Sequence, residues 1–262
     1  MKNFRVAFFD IDGTLADNQL PQALTFTQRV PDSAKRALKK LKANNIEPVI
    51  ASGRHHQTIV QLAKDLGVDS VISSNGNCVH YRGKMLHQNI IPPDLVVELV
   101  DYLRKQQIDF LLETEQCLYC FENSHYYLNH STEKTILKMS DPFPDGILQL
   151  IIPWNEKNIL KFEPSSPLIV EKVAPMAATI HLKNGTKAAG FPRICEEMAI
   201  TPHQALAFGD EENDFTMFDA VGFPVAMGNA SPELKEKAAH VTTAVSDDGI
   251  WNACITLGLI TE

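Results

Sequence analysis

Asp10-Ile11-Asp12-Gly13-Thr14 follows the apolar run Phe4-Arg5-Val6-Ala7-Phe8-Phe9. The apolar run predicts a buried strand, and two carboxylates at the end of such a strand need a compensating cation. The glycine that follows allows the chain to turn sharply and to approach a ligand closely. A carboxylate pair together with Mg²⁺ is one physical way of binding a phosphate group. This stretch therefore predicts both the start of a buried sheet and a site at its edge.

The bulk composition is typical of a globular protein. The 262 residues are 44% hydrophobic and 21% charged, and this length allows one large domain or two smaller ones. The net charge of −8 argues against a broad nucleic-acid interface, although local cations could still bind an anionic substrate. We expect no membrane span and no signal peptide, because the apolar runs are short and acidic residues interrupt the first of them. Five cysteines without a disulfide-scaffold spacing favour reduced thiols in the cytoplasm.

Apolar, strand-like runs alternate with amphipathic helices in two separate parts of the chain. The first part contains predicted strands at 4–9, 46–51 and 71–74 and predicted helices at 32–44 and 56–66. The second part contains predicted helices at 187–199, 213–220 and 231–239 and predicted strands at 205–209, 223–227 and 241–243. This alternation of strands and helices predicts a parallel sheet covered by helices.

The residues between these parts have a different pattern. Strand-like runs occur at 110–112, 118–121, 147–151, 168–170 and 179–182, and helical patches occur at 94–106 and 155–161. Turn residues, rather than long helices, often separate these strands, which indicates an antiparallel α+β insert. We therefore predict an α/β fold with a Rossmann-like parallel-sheet core formed by residues 1–82 and 184–262. Residues 83–183 form the inserted α+β domain in this interpretation.

Three further motifs could contribute to a site with the first. Ser52-Gly53-Arg54 follows a predicted strand and offers a hydroxyl and a guanidinium to a phosphoryl oxygen. Lys187 opens a predicted helix, where both the ammonium and the helix N-terminus favour an anion. Gly209-Asp210-Glu211-Glu212-Asn213-Asp214 follows another strand and offers oxygen ligands to a hard cation. Because the carboxyl ends of parallel strands form the ligand crevice of such a sheet, we expect the four motifs to converge.

Taken in order, the four motifs resemble those of the haloacid dehalogenase (HAD) superfamily of phosphotransferases. The resemblance covers the whole chain, and it implies the HAD fold. The position of the insert, between the second and third motifs, resembles the type II cap, subclass B, of the Cof-type sugar phosphatases. In that family the cap domain determines substrate specificity. One departure is Lys187-Ala188-Ala189-Gly190, since relatives usually have glycine directly after the lysine.

The resemblance implies specific catalytic roles. Asp10 would attack phosphorus and form an aspartyl-phosphate. Asp12 would protonate the leaving alkoxide and then activate the water that hydrolyses the intermediate. Ser52 and Lys187 would stabilise the oxygens of the transferring phosphoryl group.

The resemblance also implies a Mg²⁺ site and contacts to the substrate. Mg²⁺ would be held by the Asp10 carboxylate, the Asp12 backbone carbonyl, Asp210 and, directly or through water, Asp214. Gly53 and Arg54 would contact the phosphate or the substrate, although a surface salt bridge is the ordinary alternative for Arg54. Asn213 would orient Lys187 or contact the phosphate.

These observations favour a Mg²⁺-dependent phosphatase of the HAD superfamily. The expected substrates are small phosphorylated metabolites, either sugar phosphates or a phosphorylated cofactor, and the expected assembly is a monomer or a homodimer. One alternative is a phosphomutase with a type II cap, which would return the phosphoryl group to a reoriented sugar. The other is a non-catalytic sensor of phosphorylated metabolites, which the presence of all the expected catalytic residues disfavours.

Overall fold

Two sheets organise the chain in the computed structural model, which describes residues 3–21, 23–129, 133–155, 160–174 and 176–262. The chain divides into two compact units. The first, here called the core unit, comprises residues 1–54, 58–87 and 186–262. The second, called the insert unit, comprises residues 55–57 and 88–185. Within the described residues, no helix is both long and apolar enough to cross a membrane.

The core unit contains an eight-stranded sheet in the order β14-β13-β12-β1-β2-β3-β4-β5. Its strands are β1 (Val6–Phe9), β2 (Glu47–Ala51), β3 (Ser70–Ser73), β4 (Cys78–Tyr81), β5 (Lys84–Gln88), β12 (Ala205–Gly209), β13 (Phe223–Ala226) and β14 (His240–Val241). Neighbouring strands from β14 to β3 are parallel, and β4 is antiparallel to β3. The central strand β1 is buried over its whole length, as expected where helices cover both faces of a parallel sheet.

Helices pack on both faces of this sheet. They are α1 (Phe26–Arg29), α2 (Asp32–Ala43), α3 (His56–Leu66), α5 (Phe191–Glu197), α6 (Phe215–Asp219), α7 (Pro232–Lys237) and α8 (Gly249–Thr256). The longest, α2, buries Ala34, Ala37, Leu38 and Leu41, which recur at the spacing of one helix face. These side chains join Phe9 in one of the two apolar clusters that cover the sheet.

The insert unit contains a six-stranded sheet in the order β10-β11-β9-β6-β7-β8. Its elements are β6 (Leu111–Glu113), β7 (Leu118–Phe121), β8 (Thr135–Leu137), β9 (Gln149–Pro153), β10 (Leu168–Ala174), β11 (Ala177–Leu182) and α4 (Pro93–Lys105). All of its pairings are antiparallel except β7 with β8. Leu99 and Leu103 of α4 pack with Leu112, Leu150 and Ile180 on one face of the sheet, which gives the insert unit an apolar core of its own.

Several elements differ from the sequence-based prediction. The helix expected at 187–199 begins as a 3₁₀ turn (Lys187–Gly190) and continues as the shorter α5. Pro192 lies in the first turn of α5, where its missing N–H is tolerated. The core sheet continues through β5, so the boundary between the units falls after His87 rather than after residue 82. The helix expected at 155–161 lies largely outside the described residues.

Candidate active site

Three neighbouring parallel strands of the core unit end in site residues. Asp10 directly follows β1, Ser52 follows β2 and Asp210 follows β12. The order β12-β1-β2 places these three strand ends side by side. All three residues are buried, with exposed fractions of 3–4%. The predicted convergence of the motifs at the carboxyl edge of the sheet is therefore present in the structure.

Lys187 lies at the centre of this cluster. Its Nζ donates to Asp10 Oδ1 at 2.8 Å and to Asp214 Oδ1 at 3.0 Å, and its side chain is 5% exposed. The turn at Gly76 packs against the peptide that precedes Lys187. Gly76 has a φ of +82°, and a Cβ atom there would collide with the carbonyl oxygen of Thr186. A glycine is therefore needed for this close approach, which supports the backbone that carries Lys187.

The two aspartates of the fourth motif are held by different donors. Asp210 accepts a hydrogen bond from Thr14 Oγ1 at 2.8 Å and a longer one from Asn229 Nδ2 at 3.4 Å. Asp214 Oδ2 accepts the backbone N–H groups of Asp210 at 2.9 Å and Glu211 at 3.2 Å. Asp214 thus stabilises the loop that carries Asp210, while its other carboxylate oxygen accepts the hydrogen bond from Lys187.

The donor set of this cluster fits a hard divalent cation. Asp10, Asp210 and Asp214 each offer a carboxylate oxygen, and these oxygens lie within 4.8 Å of one another. Oxygen ligands of this type suit Mg²⁺. Among the described residues, a single lysine contacts this cluster of three buried carboxylates, so a bound cation would complete the charge balance. Gly13 leaves room beside these ligands, since its φ is +86° and a Cβ atom there would collide with Asp210.

Burial changes the pKa of the charged groups. It raises the pKa of Asp210 to about 8, and the neighbouring Asp10 adds to the effect, whereas the bond from Thr14 opposes it. Burial also raises the pKa of Asp10, although Lys187 opposes this increase. Burial alone would lower the pKa of Lys187, but Asp10 and Asp214 outweigh it and hold the pKa above its ordinary value. The lysine therefore stays charged at neutral pH.

Asp12 lies outside the lysine cluster and pairs with Arg54. Arg54 Nε donates to Asp12 Oδ2 at 2.7 Å, and Nη2 donates to Oδ1 at 2.9 Å. The two side chains are 40% and 34% exposed. The backbone N–H of Arg54 donates to Ser52 Oγ at 3.3 Å. The second motif therefore contacts the first through a bidentate ion pair.

Most of the predicted site residues fall into two groups in the structure, and Gly53 and Asn213 belong to neither group. Asp10, Lys187, Asp210 and Asp214 form the buried cluster, and Asp12, Ser52 and Arg54 lie at adjacent strand ends. Gly53 is packed so closely against Asn75 that a Cβ atom would collide with its side chain. Asn213 is exposed, and the hydrogen bonds of Lys187 go to Asp10 and Asp214 rather than to Asn213.

Two site residues were missed by the sequence-based reasoning. Thr14 bonds Asp210, and Asn229 Nδ2 bonds the carbonyl oxygen of Gly13 at 2.8 Å. Asn229 is itself held by the backbone N–H of Val245, which donates to its Oδ1 at 2.9 Å. Asn229 lies just after β13, the next parallel strand beyond β12. Its position at a strand end is the signal that could have identified it.

Comparisons with known proteins agree with this fold. Residues 7–254 match the haloacid dehalogenase-like hydrolase family, and the chain belongs to that family. It is 29% identical over 261 residues to the Bacillus subtilis (strain 168) protein named "Putative phosphatase YkrA", and the match covers 98% of each chain.

Solved structures show the same fold. A hypothetical protein from Geobacillus kaustophilus HTA426 is 27% identical and superposes with a TM-score of 0.83 over 98% of this chain and 100% of that one. The HAD subclass IIB sugar phosphatase BT4131 is 24% identical and superposes with a TM-score of 0.78 over 98% of this chain and 100% of its own. The superfamily resemblance and the α/β fold class predicted from the sequence are therefore confirmed, and the family match and the B. subtilis relative support the predicted phosphatase class.

Proposed function

We propose that the chain is a Mg²⁺-dependent phosphatase that hydrolyses phosphomonoesters of small metabolites through an aspartyl-phosphate on Asp10. The buried cluster around Lys187 carries this proposal, because it places a charged amine against two carboxylates beside a third. Phosphoryl transfer requires positioning and charge neutralisation above all. A buried lysine next to a buried nucleophile meets both requirements. The family membership and the phosphatase name of the B. subtilis relative support the same conclusion.

We assign the metal ligands from the donor set of the cluster. The carboxylates of Asp10 and Asp210 and the backbone carbonyl of Asp12 would hold Mg²⁺. Asp214 would contact the ion through water, because Lys187 and two backbone N–H groups already bond its oxygens. When bound, the ion would neutralise negative charge on the phosphoryl group.

The proposed reaction has two balanced steps. In the first, a carboxylate oxygen of Asp10 bonds to phosphorus, the ester P–O bond breaks, and Asp12 gives its proton to the leaving alkoxide. In the second, water attacks the aspartyl-phosphate while Asp12 accepts a proton from the water. Inorganic phosphate then leaves, and the Asp10 carboxylate is regenerated. Lys187 and Ser52 bind the phosphoryl oxygens in both steps.

The substrate is assigned only by class. We propose sugar phosphates or phosphorylated cofactors, with the inserted domain, predicted over residues 83–183 and compact over residues 88–185, as the cap that selects among them. Gly53, Arg54 and Asn213 are proposed to contact the phosphate or the rest of the substrate. We further propose a cytoplasmic monomer or homodimer in which the five cysteines are reduced.

Phosphate release from a panel of phosphorylated metabolites tests the proposal. The panel contains hexose phosphates, pentose phosphates, flavin mononucleotide and pyridoxal phosphate, each assayed with Mg²⁺ and with a chelator. We expect Mg²⁺-dependent release that Asp10→Asn abolishes. Hydrolysis that survives chelation would contradict the metal assignment. Conversion of a hexose 1-phosphate to its isomer without free phosphate would favour a mutase instead.

A further inference from the structure

The ion pair between Arg54 and Asp12 does not by itself fix the orientation of the Arg54 guanidinium. Arg54 contacts both carboxylate oxygens, at 2.7 and 2.9 Å, which requires a fixed orientation of the guanidinium plane. Both side chains are more than a third exposed to solvent. Exposed pairs gain little from their own attraction, because water screens them and the flexible side chains lose entropy. Another contact must therefore orient Arg54.

An aromatic ring lies against this guanidinium. The Cζ atom of Arg54 is 4.5 Å from the centre of the Phe26 ring. The Cζ atom of Arg29 lies over the same ring, at 4.4 Å. A planar guanidinium stacks favourably on an aromatic face, and the ring restricts the orientations that the guanidinium can adopt. Phe26 thus contacts the guanidinium group that donates two hydrogen bonds to Asp12.

The short helix that carries Phe26 is fixed at both ends. Thr25 precedes the helix and forms a reciprocal pair of hydrogen bonds with Gln28, the arrangement known as a capping box. At the other end, the carbonyl oxygen of Arg29 accepts the backbone N–H of Asp17 at 3.0 Å. Asp17 lies five residues after Asp12, so the helix is tied to the chain segment that carries the first motif. The ring is therefore held in place relative to Asp12.

We propose that Phe26 is a positioning residue that orients the Asp12 carboxylate through Arg54. The inference rests on the proposed function, in which Asp12 donates and then accepts the proton. Phe26 also packs against the apolar cluster that contains Phe9, and its proposed effect on Asp12 passes through the guanidinium of Arg54. Loss of the ring would leave Arg54 free to rotate and Asp12 less precisely aligned, which would slow proton transfer.

Kinetics of four variants tests the assignment. Phe26→Leu removes the ring, Phe26→Tyr keeps it, and Arg54→Ala removes the group through which it acts. Thr27→Ala is the matched control. Thr27 lies on the same helix as Phe26, and its replacement removes the 2.7 Å hydrogen bond from Thr27 to Asp65 without changing Arg54. We expect Phe26→Leu to lower kcat by about two- to tenfold with KM nearly unchanged, whereas Phe26→Tyr and Thr27→Ala stay near the parent value.

The double variant and two other measurements make the test specific. In an Arg54→Ala background, Phe26→Leu should have no further effect, because its path to Asp12 is already lost. Mg²⁺ affinity, measured by calorimetry, should be the same in the parent and in Phe26→Leu. In NMR spectra of arginine-labelled protein, the Arg54 Nε–H signal should be protected from exchange in the parent and in Thr27→Ala, and should lose protection in Phe26→Leu.

The possible failures are distinguishable. An Arg54 signal that is unchanged in Phe26→Leu would overturn the positioning role, whether or not any substrate is found. Equal kcat losses in Phe26→Leu and Thr27→Ala, or additive losses with Arg54→Ala, would overturn it as well. A change in KM alone would place the effect on substrate binding instead. If the NMR result holds but no phosphate is released from any substrate, the proposed function fails while the structural link from Phe26 to Arg54 stands.

Discussion

Replacing Lys187 with methionine removes the cation of the buried cluster while keeping a side chain of similar length. Lys187 contacts Asp10 and Asp214 at 2.8 and 3.0 Å, and all three side chains are at most 6% exposed. The variant therefore leaves Asp10 Oδ1 and Asp214 Oδ1 without the hydrogen bonds and the positive charge that Lys187 supplies. We expect losses of both activity and stability, and the burial and contacts of Lys187 give the expected magnitude of each loss.

The stability loss follows from burial. Two unit charges about 4 Å apart attract by about 4 kcal/mol at an effective dielectric constant of about 20, and Lys187 makes two such contacts. The carboxylates escape part of the penalty by binding protons, so the expected loss is that of a broken buried pair, about 3–5 kcal/mol. Removing one preorganised donor to a transition state lowers kcat by about 10²–10³-fold. Because Lys187 carries a full charge, we expect the upper end of that range.

The assays are urea unfolding and phosphate release, each with and without Mg²⁺. In Lys187→Met the cluster carries more negative charge, so Mg²⁺ should raise the free energy of unfolding in urea more than it does in the parent. Lys187→Arg keeps the charge and should retain most of the stability but little activity, because the guanidinium is larger. Lys237→Met is the matched control, since Lys237 forms an exposed pair with Asp219. This control should change neither property by much.

Two results would refute the reasoning. If Lys187→Met kept kcat within about tenfold of the parent, Lys187 could not be the main cation acting on the phosphoryl group. If the variant were as stable as the parent in metal-free buffer, the buried carboxylates would not depend on the lysine. A variant too unstable to purify would leave Lys187→Arg as the test, and full activity in that variant would contradict the predicted geometry.

Four further predictions concern individual side chains. Thr14→Val should weaken Mg²⁺ binding in calorimetry, because Asp210 loses its 2.8 Å hydrogen bond; unchanged affinity would contradict this role. Binding of Mg²⁺ at the proposed ligand Asp210 would displace a proton, because the pKa of Asp210 is raised to about 8, so Mg²⁺ affinity should fall as pH decreases, by about 25-fold from pH 8.5 to 6.5; a flat profile would exclude this ligand. Leu41→Ala, at a fully buried position of α2, should cost about 2–5 kcal/mol in urea unfolding without changing kcat of the folded enzyme. Cys117 is partly exposed and the other four cysteines are buried, so a thiol reagent should modify one cysteine rapidly, and Cys117→Ser should remove that reaction.

Much of the core fold was predictable because its signals are local. A buried parallel strand is a continuous apolar run, and the run before Asp10 becomes β1. Helices such as α2 and α4 were recognisable from their apolar spacing, within a few residues at each end. Two elements were not predicted because their local sequence patterns are weak. The α8 helix is apolar nearly all round and shows little periodicity, and β5 is a partly exposed edge strand of the core sheet.

The candidate site was predictable as a set of residues but not as a set of contacts. The four motifs contained Asp10, Lys187, Asp210 and Asp214, and the structure brings all four together. Asn213 was expected either to orient Lys187 or to contact the phosphate, yet the adjacent Asp214 makes the hydrogen bond to Lys187. A 3₁₀ turn (Glu212–Asp214) decides between these neighbours, since it buries Asp214 and leaves Asn213 exposed. The sequence alone does not resolve a difference of one position in a turn.

The sequence by itself determined the chemistry available to this protein: carboxylates at strand ends, one lysine and a serine in a family-specific order. Only the tertiary structure decided which of these groups meet. Lys187 bonds Asp10 across 177 positions of sequence, and Arg54 bonds Asp12 across 42. Such contacts depend on the order of strands in the sheet and on the packing of turns, which are properties of the whole fold. Apolar periodicity and motif spacing report on neighbouring residues, and they carry little information about which distant side chains share a site.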